Sequence, residues 1–212
     1  VSAIAPFEAD GVRGFLHTPD GARERGLVLT HGAGSNCAAP LLVAVATALC
    51  DAGITVLRCD LPFRQRRPSG PPHPAGAAAD RAGLAEAIVA LRAQVSGPVL
   101  LGGHSYGGRQ ASMLAADDPT IAPALLLLSY PLHPPKQPDK LRTEHFPLLR
   151  VPAVFVHGTT DGFGSPAELE AAIAAIPAPT TVIPIAGAGH DLKRGRFDLA
   201  PVIAALDAAA AR

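Results

Sequence analysis

The chain has 212 residues, enough for one domain with one sizeable core, and 48% of them are hydrophobic against 17% charged. Lysine plus arginine and aspartate plus glutamate balance at 18 each, which argues against the basic footprint of a nucleic-acid or acidic-membrane binder. The longest apolar runs, such as Leu41 to Cys50 and Ala124 to Leu128, are too short to span a bilayer.

Val12 to His17 and Gly26 to Thr30 read as two strands with a Pro19-Asp20-Gly21 turn between them. The second runs into His31-Gly32-Ala33-Gly34-Ser35-Asn36, a glycine-rich loop suited to close backbone approach to a ligand. Pro40 to Asp51 reads as a helix, with Leu41, Leu42, Val45 and Leu49 on one face and Gly53 as its stop. Ile54 to Cys59 is a β-branched strand. Asp60 to Gly76, rich in proline, glycine and arginine, is expected to be a long surface loop. Ala77 to Gln94 is a second helix, with Leu84, Ile88 and Leu91 on one face.

The apolar run Val99-Leu100-Leu101 then meets Gly102-Gly103-His104-Ser105-Tyr106-Gly107-Gly108. Gly103 to Gly107 reads as G-x-S-x-G, in which the serine occupies a sharp strand-to-helix turn and the positions two before and two after it must be small. A helix follows, stopped by Pro119. Ala124 to Tyr130 is a buried strand, and Pro131 to Val151 mostly loop with one short helix near Leu141 to Phe146. Pro152 to His157 is the next strand, broken by Gly158-Thr159-Thr160-Asp161-Gly162. Ser165-Pro166-Ala167-Glu168 is a capping box that opens a helix carrying Leu169, Ile173 and Ile176. Thr180 to Ile185 is the last strand. Gly187 to Asp191 is a loop, and Leu199, Val202, Ile203 and Leu206 mark a closing amphipathic helix.

Strands and helices alternate, and the strands are continuous apolar runs. That pattern predicts an α/β fold over residues 1–212 as a single domain, with a mainly parallel sheet covered by helices on both faces. Ligands then belong at the carboxyl ends of the strands. His31, Ser105, Tyr130, Asp161 and His190 all lie just past such ends.

A serine hydroxyl needs a base to take its proton, and the base needs an orienting carboxylate. In the G-x-S-x-G fold these occur in the order serine, acid, histidine. Of eight histidines, only His190 lies beyond Asp161. Ser105, Asp161 and His190 are therefore the candidate nucleophile, acid and base. His31, His104 and His157 fall in the wrong order and read as structural for that role. The oxyanion donors are expected to be the backbone N–H of Tyr106 and one from the early loop, Ala33, with Gly34 as the alternative. His31, Tyr130 and Arg64 are the candidate substrate contacts. Arg66 and Arg67 read as a solvated face, and Arg58 and Arg109 as members of structural ion pairs. Cys37, Cys50 and Cys59 follow no metal spacing and are expected to be free thiols. The start of the chain, with Glu8 and Asp10 and no basic stretch, does not read as a secretory signal, so a cytoplasmic setting is expected.

Taken together, His31-Gly32-Ala33-Gly34, the serine elbow, Gly158-x-x-Asp161 and Gly189-His190 resemble an α/β-hydrolase over essentially the whole chain. Asp60-Leu61-Pro62-Phe63-Arg64, Gly107-Gly108-Arg109, Tyr130 to Pro135 and Leu141-Arg142-x-Glu144-His145 narrow the likeness. They are similar to the group that includes testis-expressed protein 30, a related large chromatin-complex subunit and many small bacterial members. The resemblance implies a serine hydrolase of esters or thioesters, with Ser105, Asp161 and His190 at the triad positions. The early loop departs from the HGGG of many lipases, and no insertion has the size of a lid domain. The expectation is a lidless hydrolase of small acyl esters or thioesters that uses no metal and no cofactor. Its partner is then a small-molecule substrate, with no nucleic acid and no membrane, and its oligomeric state is left open. A dienelactone-type hydrolase or small peptidase is the alternative enzyme, and a non-catalytic scaffold the alternative from another class.

Overall fold

The computed structural model describes residues 2–211. Among them, eight strands form one sheet: β1 (Ala3–Ala9), β2 (Val12–Thr18), β3 (Gly26–Thr30), β4 (Thr55–Cys59), β5 (Val99–His104), β6 (Leu125–Leu128), β7 (Ala153–Gly158) and β8 (Thr180–Ile185). Their spatial order is β1-β2-β4-β3-β5-β6-β7-β8. The pairs from β4 through to β8 are all parallel, while β1 and β2 run antiparallel at one edge.

Side chains alternate between the two faces, and each face has its own core. Val28, Leu57, Leu101, Leu127 and Phe155 point to one side. There they meet α3 (Ala77–Arg92), α4 (Tyr106–Asp117) and α5 (Pro166–Ile173), through residues such as Leu84, Ile88, Ala111 and Leu169. Leu27, Leu29, Val56, Leu126 and Val154 point to the other side. They pack on α1 (Pro40–Asp51) and α6 (Ala200–Ala210), through Leu42, Val45, Leu49, Val202 and Leu206. Burial on both faces explains why the central strands read as unbroken apolar runs.

Three features differ from the sequence reading. β1 was not expected. It is an edge strand, largely exposed, with Pro6 opposite Phe15. An edge tolerates proline because one row of amides has no ladder partner. Asp10 and Gly11 close the β1–β2 hairpin with φ of 51° and 80°, the turn chemistry of an Asp-Gly pair. The loop from Asp60 contains a short helix, α2 (Pro62–Arg66), and a single 3₁₀ turn at Pro74–Gly76. The short helix expected over Leu141 to Phe146 is instead a 3₁₀ turn at Phe146–Leu148.

After β3 the chain crosses to β4 on one side, then returns to β5 on the other. The carboxyl ends of β3 and β5 thus flank the point where strand order reverses, the place where open α/β sheets form a crevice. No connection is large enough to form a lid domain; the longest in this region covers residues 129–152. No helix among the described residues is long and apolar enough to cross a membrane.

Candidate active site

Ser105 stands alone between β5 and α4, with φ 52° and ψ −117°. L-residues rarely adopt positive φ, and the surroundings must over-determine it. Its N–H donates to the Leu128 carbonyl at 2.8 Å, which pins the turn to β6. Two residues to either side, only glycine fits. A Cβ on Gly103 would lie 2.6 Å from the Gly107 carbonyl carbon, and a Cβ on Gly107 would lie 2.6 Å from the His31 carbonyl oxygen.

His190 reaches the elbow from the loop after β8, with Nε2 2.8 Å from Ser105 Oγ. Its Nδ1 lies 2.8 and 3.0 Å from the two carboxylate oxygens of Asp161. Asp161 Oδ1 also accepts the Phe163 N–H at 2.9 Å. Burial pushes the Asp161 carboxyl up, but the hydrogen bond and charge of His190, the Phe163 amide and His157 outweigh it and hold the group below its ordinary value. Asp161 is therefore an acceptor, so His190 Nδ1 carries the proton toward it. Nε2 is left with its lone pair facing the serine hydroxyl. Two further groups hold His190 in place. The Phe163 ring lies 4.2 Å from its ring at 31°, and His104 Nε2 sits 2.8 Å from its carbonyl oxygen.

The early loop comes to the same point. Ala33 lines a cavity of about 490 Å³ together with Ser105 and Tyr106. The Ala33 N–H donates to no acceptor among the described residues. The Tyr106 N–H opens α4, where helix geometry leaves amides without partners. Gly34, the alternative donor, is exposed and does not line the cavity.

The three expected substrate contacts are not at the cavity. His31 is fully buried; its Nδ1 faces the Gly32 carbonyl at 2.9 Å and its Nε2 accepts the Leu61 N–H at 3.1 Å, so both nitrogens are used internally. Tyr130 is fully buried between Phe146 and Phe155 and donates to the Arg142 carbonyl at 2.6 Å. Arg64 is buried under its own loop. It donates to four carbonyls: Ser35 at 2.7 Å, Ala33 at 2.9 Å, Gly70 at 3.0 Å and Arg67 at 3.2 Å. It ties the Ala33 loop to the 61–76 loop rather than facing a ligand. The ion pairs expected for Arg58 and Arg109 are also absent among the described residues. Arg58 donates to His17 and the Cys37 carbonyl and stacks on Phe15. Arg109 lines the cavity.

Sequence reasoning missed Asp80. This fully buried carboxylate accepts the Tyr106 hydroxyl at 2.8 Å and the Phe63 N–H at 3.0 Å, joining α3, α4 and α2 beneath the site. An acid in the first turn of an otherwise apolar-faced helix was the available signal. No group of three or more His, Cys, Asp or Glu side chains among the described residues is arranged to hold a metal.

A serine elbow at a strand-to-helix junction, with its histidine and acid on two later strand ends, defines an α/β-hydrolase architecture. The chain belongs to that family: the model described as the alpha/beta hydrolase domain matches residues 23–211. Solved structures share the fold at low identity. An α/β serine hydrolase homologue from Coxiella burnetii aligns with a TM-score of 0.71 at 17% identity, covering 95% of each chain. A dienelactone hydrolase from Anabaena variabilis aligns with a TM-score of 0.68 at 22% identity, covering 99% of this chain and 95% of its own. A lidless α/β serine hydrolase from Xanthomonas campestris aligns with a TM-score of 0.70 at 17% identity, covering 100% and 94%.

Proposed function

We propose that this protein is a single-domain serine hydrolase that cleaves small acyl esters or thioesters through an acyl-enzyme. The observation that carries the reading is the continuous relay from Asp161 through His190 to Ser105, with contacts of 2.8 Å on either side of the imidazole. Ser105 Oγ attacks the acyl carbon as its proton passes to His190 Nε2. The carbonyl oxygen, now an oxyanion, takes hydrogen bonds from the Tyr106 and Ala33 amides. Asp161 holds the imidazole in the right tautomer and stabilises the imidazolium. Collapse breaks the bond to the alcohol or thiol, which leaves with the proton from His190. Water, deprotonated by the same nitrogen, then attacks the acyl-enzyme and restores Ser105.

The cavity lies open beside the serine with no lid domain over it, which supports short acyl groups and no interfacial activation. The motifs around Phe63, Arg109 and Tyr130 support a place beside testis-expressed protein 30 and its small bacterial relatives. Three free, buried cysteines support a reducing, cytoplasmic setting. A screen of 4-nitrophenyl esters and acyl thioesters across chain length tests the reading. Turnover that is highest for short chains, rises smoothly with monomer concentration and is lost in Ser105→Ala supports it. A rate jump at the micellar threshold with better long-chain turnover contradicts the lidless esterase.

A further inference from the structure

The cavity beside Ser105 has one charged side. Arg109 follows Ser105 by one helical turn, and its N–H donates to the Ser105 carbonyl at 3.0 Å. Residues four apart leave a helix on the same face, and Ser105, Arg109 and Met113 all line the cavity. Arg109 Nε is buried and has no hydrogen-bond partner among the described residues, and its guanidinium forms no salt bridge there. Arg142 enters the same cavity from the 129–152 connection. Its Nη1 reaches only the Pro131 carbonyl, at 3.4 Å. Burial lowers the pKa of Arg142, and the neighbouring charge of Arg109 adds to the effect. Glu144 acts on Arg142 from the same loop, but it is exposed and bridges neither guanidinium.

A buried guanidinium nitrogen without an acceptor is costly. Here two cations line one cavity whose walls, Pro71, Pro72 and Phe163 among them, are mostly apolar; His73, Gln110 and Ser105 are polar, and no carboxylate is among the lining residues. An anion held by both would offset their mutual repulsion, and a guanidinium fork matches a carboxylate edge.

We propose that the site selects substrates carrying a free carboxylate besides the ester or thioester, bound by Arg109 and Arg142. The proposal rests on Ser105 as the nucleophile. One helical turn separates Arg109 from Ser105, a span of about 5.4 Å along the axis. That distance suits a carboxylate a few carbons from the reacting carbonyl, as in a half-ester of a short dicarboxylic acid.

The experiment compares kcat/KM for charged and neutral substrates of matched length. On the acyl side, 4-nitrophenyl hemiglutarate is paired with its methyl-capped diester. On the leaving-group side, 4-carboxyphenyl acetate is paired with its methyl ester. The wild-type protein is expected to favour the charged member of one pair by about tenfold or more, the scale of one charge-assisted contact. The pair that shows the preference locates the carboxylate. Arg109→Gln and Arg142→Gln are each expected to bring that ratio toward one, while Arg109→Lys retains part of it. Because the ratio is read within one variant, a partly unfolded preparation does not imitate the effect. A wild-type ratio near one in both pairs, with the neutral esters still turned over through Ser105, overturns this proposal alone. A folded protein that turns over none of the four esters and whose Ser105 resists a fluorophosphonate overturns the hydrolase reading as well.

Discussion

Arg64→Met should cripple turnover without touching any reacting atom. The guanidinium donates to the carbonyls of Ser35, Ala33, Gly70 and Arg67, and it stacks on Phe63 with a centroid distance of 4.9 Å. Methionine keeps much of the apolar stem and removes all four contacts. Hydrogen bonds from a charged donor contribute about 1.5–3 kcal/mol each, but carbonyls on a surface loop regain water when released. A net loss of about 3 kcal/mol is therefore expected, well below the sum of the four. The effect on rate is more specific. The Ala33 carbonyl is anchored by Arg64, and the Ala33 amide is a proposed oxyanion donor. Once the anchor is gone, the amide no longer holds its aim, and loss of one such donor costs about 10²–10³ in kcat. Steady-state hydrolysis of a short 4-nitrophenyl ester, beside urea denaturation of the same sample, separates the two effects. The expected result is a kcat lowered about 100-fold with KM little changed, in protein that is still folded at the assay temperature. Wild-type kcat in folded Arg64→Met would refute the idea that this arginine sets the oxyanion loop.

Ser105→Ala and His190→Ala should each remove nearly all hydrolysis, by about four to six orders of magnitude, because members of one relay fail together. Asp161→Asn should cost around four orders through the wrong imidazole tautomer; single-turnover assays on the three variants check the pattern, and a fully active Asp161→Asn contradicts it. Stability should fall on acidification. His17, His104 and His145 are held at about 4, chiefly by burial, while the unfolded chain binds those protons near pH 6.5. The native state is thus fully favoured above about pH 6.5 and loses ground as pH drops toward 4, with the three histidines contributing comparable shares. Asp161, held low by His190 despite burial, adds a further loss below about pH 4. Urea midpoints that stay flat from pH 7 to 4.5 would contradict this. Cys37, Cys50 and Cys59 are free and buried, with the Cys37 and Cys59 thiols pushed up to about 12 by burial. A thiol reagent should therefore count three groups only after denaturation, and rapid reaction of the native protein would count against the packing.

Much of the fold was legible because the central strands announce themselves. Runs such as Leu125 to Leu128 are apolar at every position, and glycine or proline punctuates each end. β1 escaped because Ala3–Ala9 is exposed, contains Pro6 and has no apolar alternation; Asp10-Gly11 was the overlooked hairpin signal. The sequence put Ser105, Asp161 and His190 past strand ends in one order, and the structure brings them into contact. Side-chain direction was not legible. Tyr130 and His31 also follow strand ends, yet both turn into the core, where their polar atoms find backbone partners. Arg64 and Arg109 lie where the sequence did not place them for the same reason. Spacing alone does not reveal that one guanidinium folds under its own loop while the other is left facing the cavity.

The central claim is that Ser105 is activated by His190 and Asp161, and labelling by a fluorophosphonate tests it most directly. Such a probe reacts where a serine has a positioned base and where ready donors meet the phosphoryl oxygen, whatever the natural substrate. Mass spectrometry of the digested protein should place one adduct, on Ser105, at pH 8, and His190→Ala should abolish it. A folded protein left unlabelled at pH 8, or labelled equally well without His190, would contradict the account.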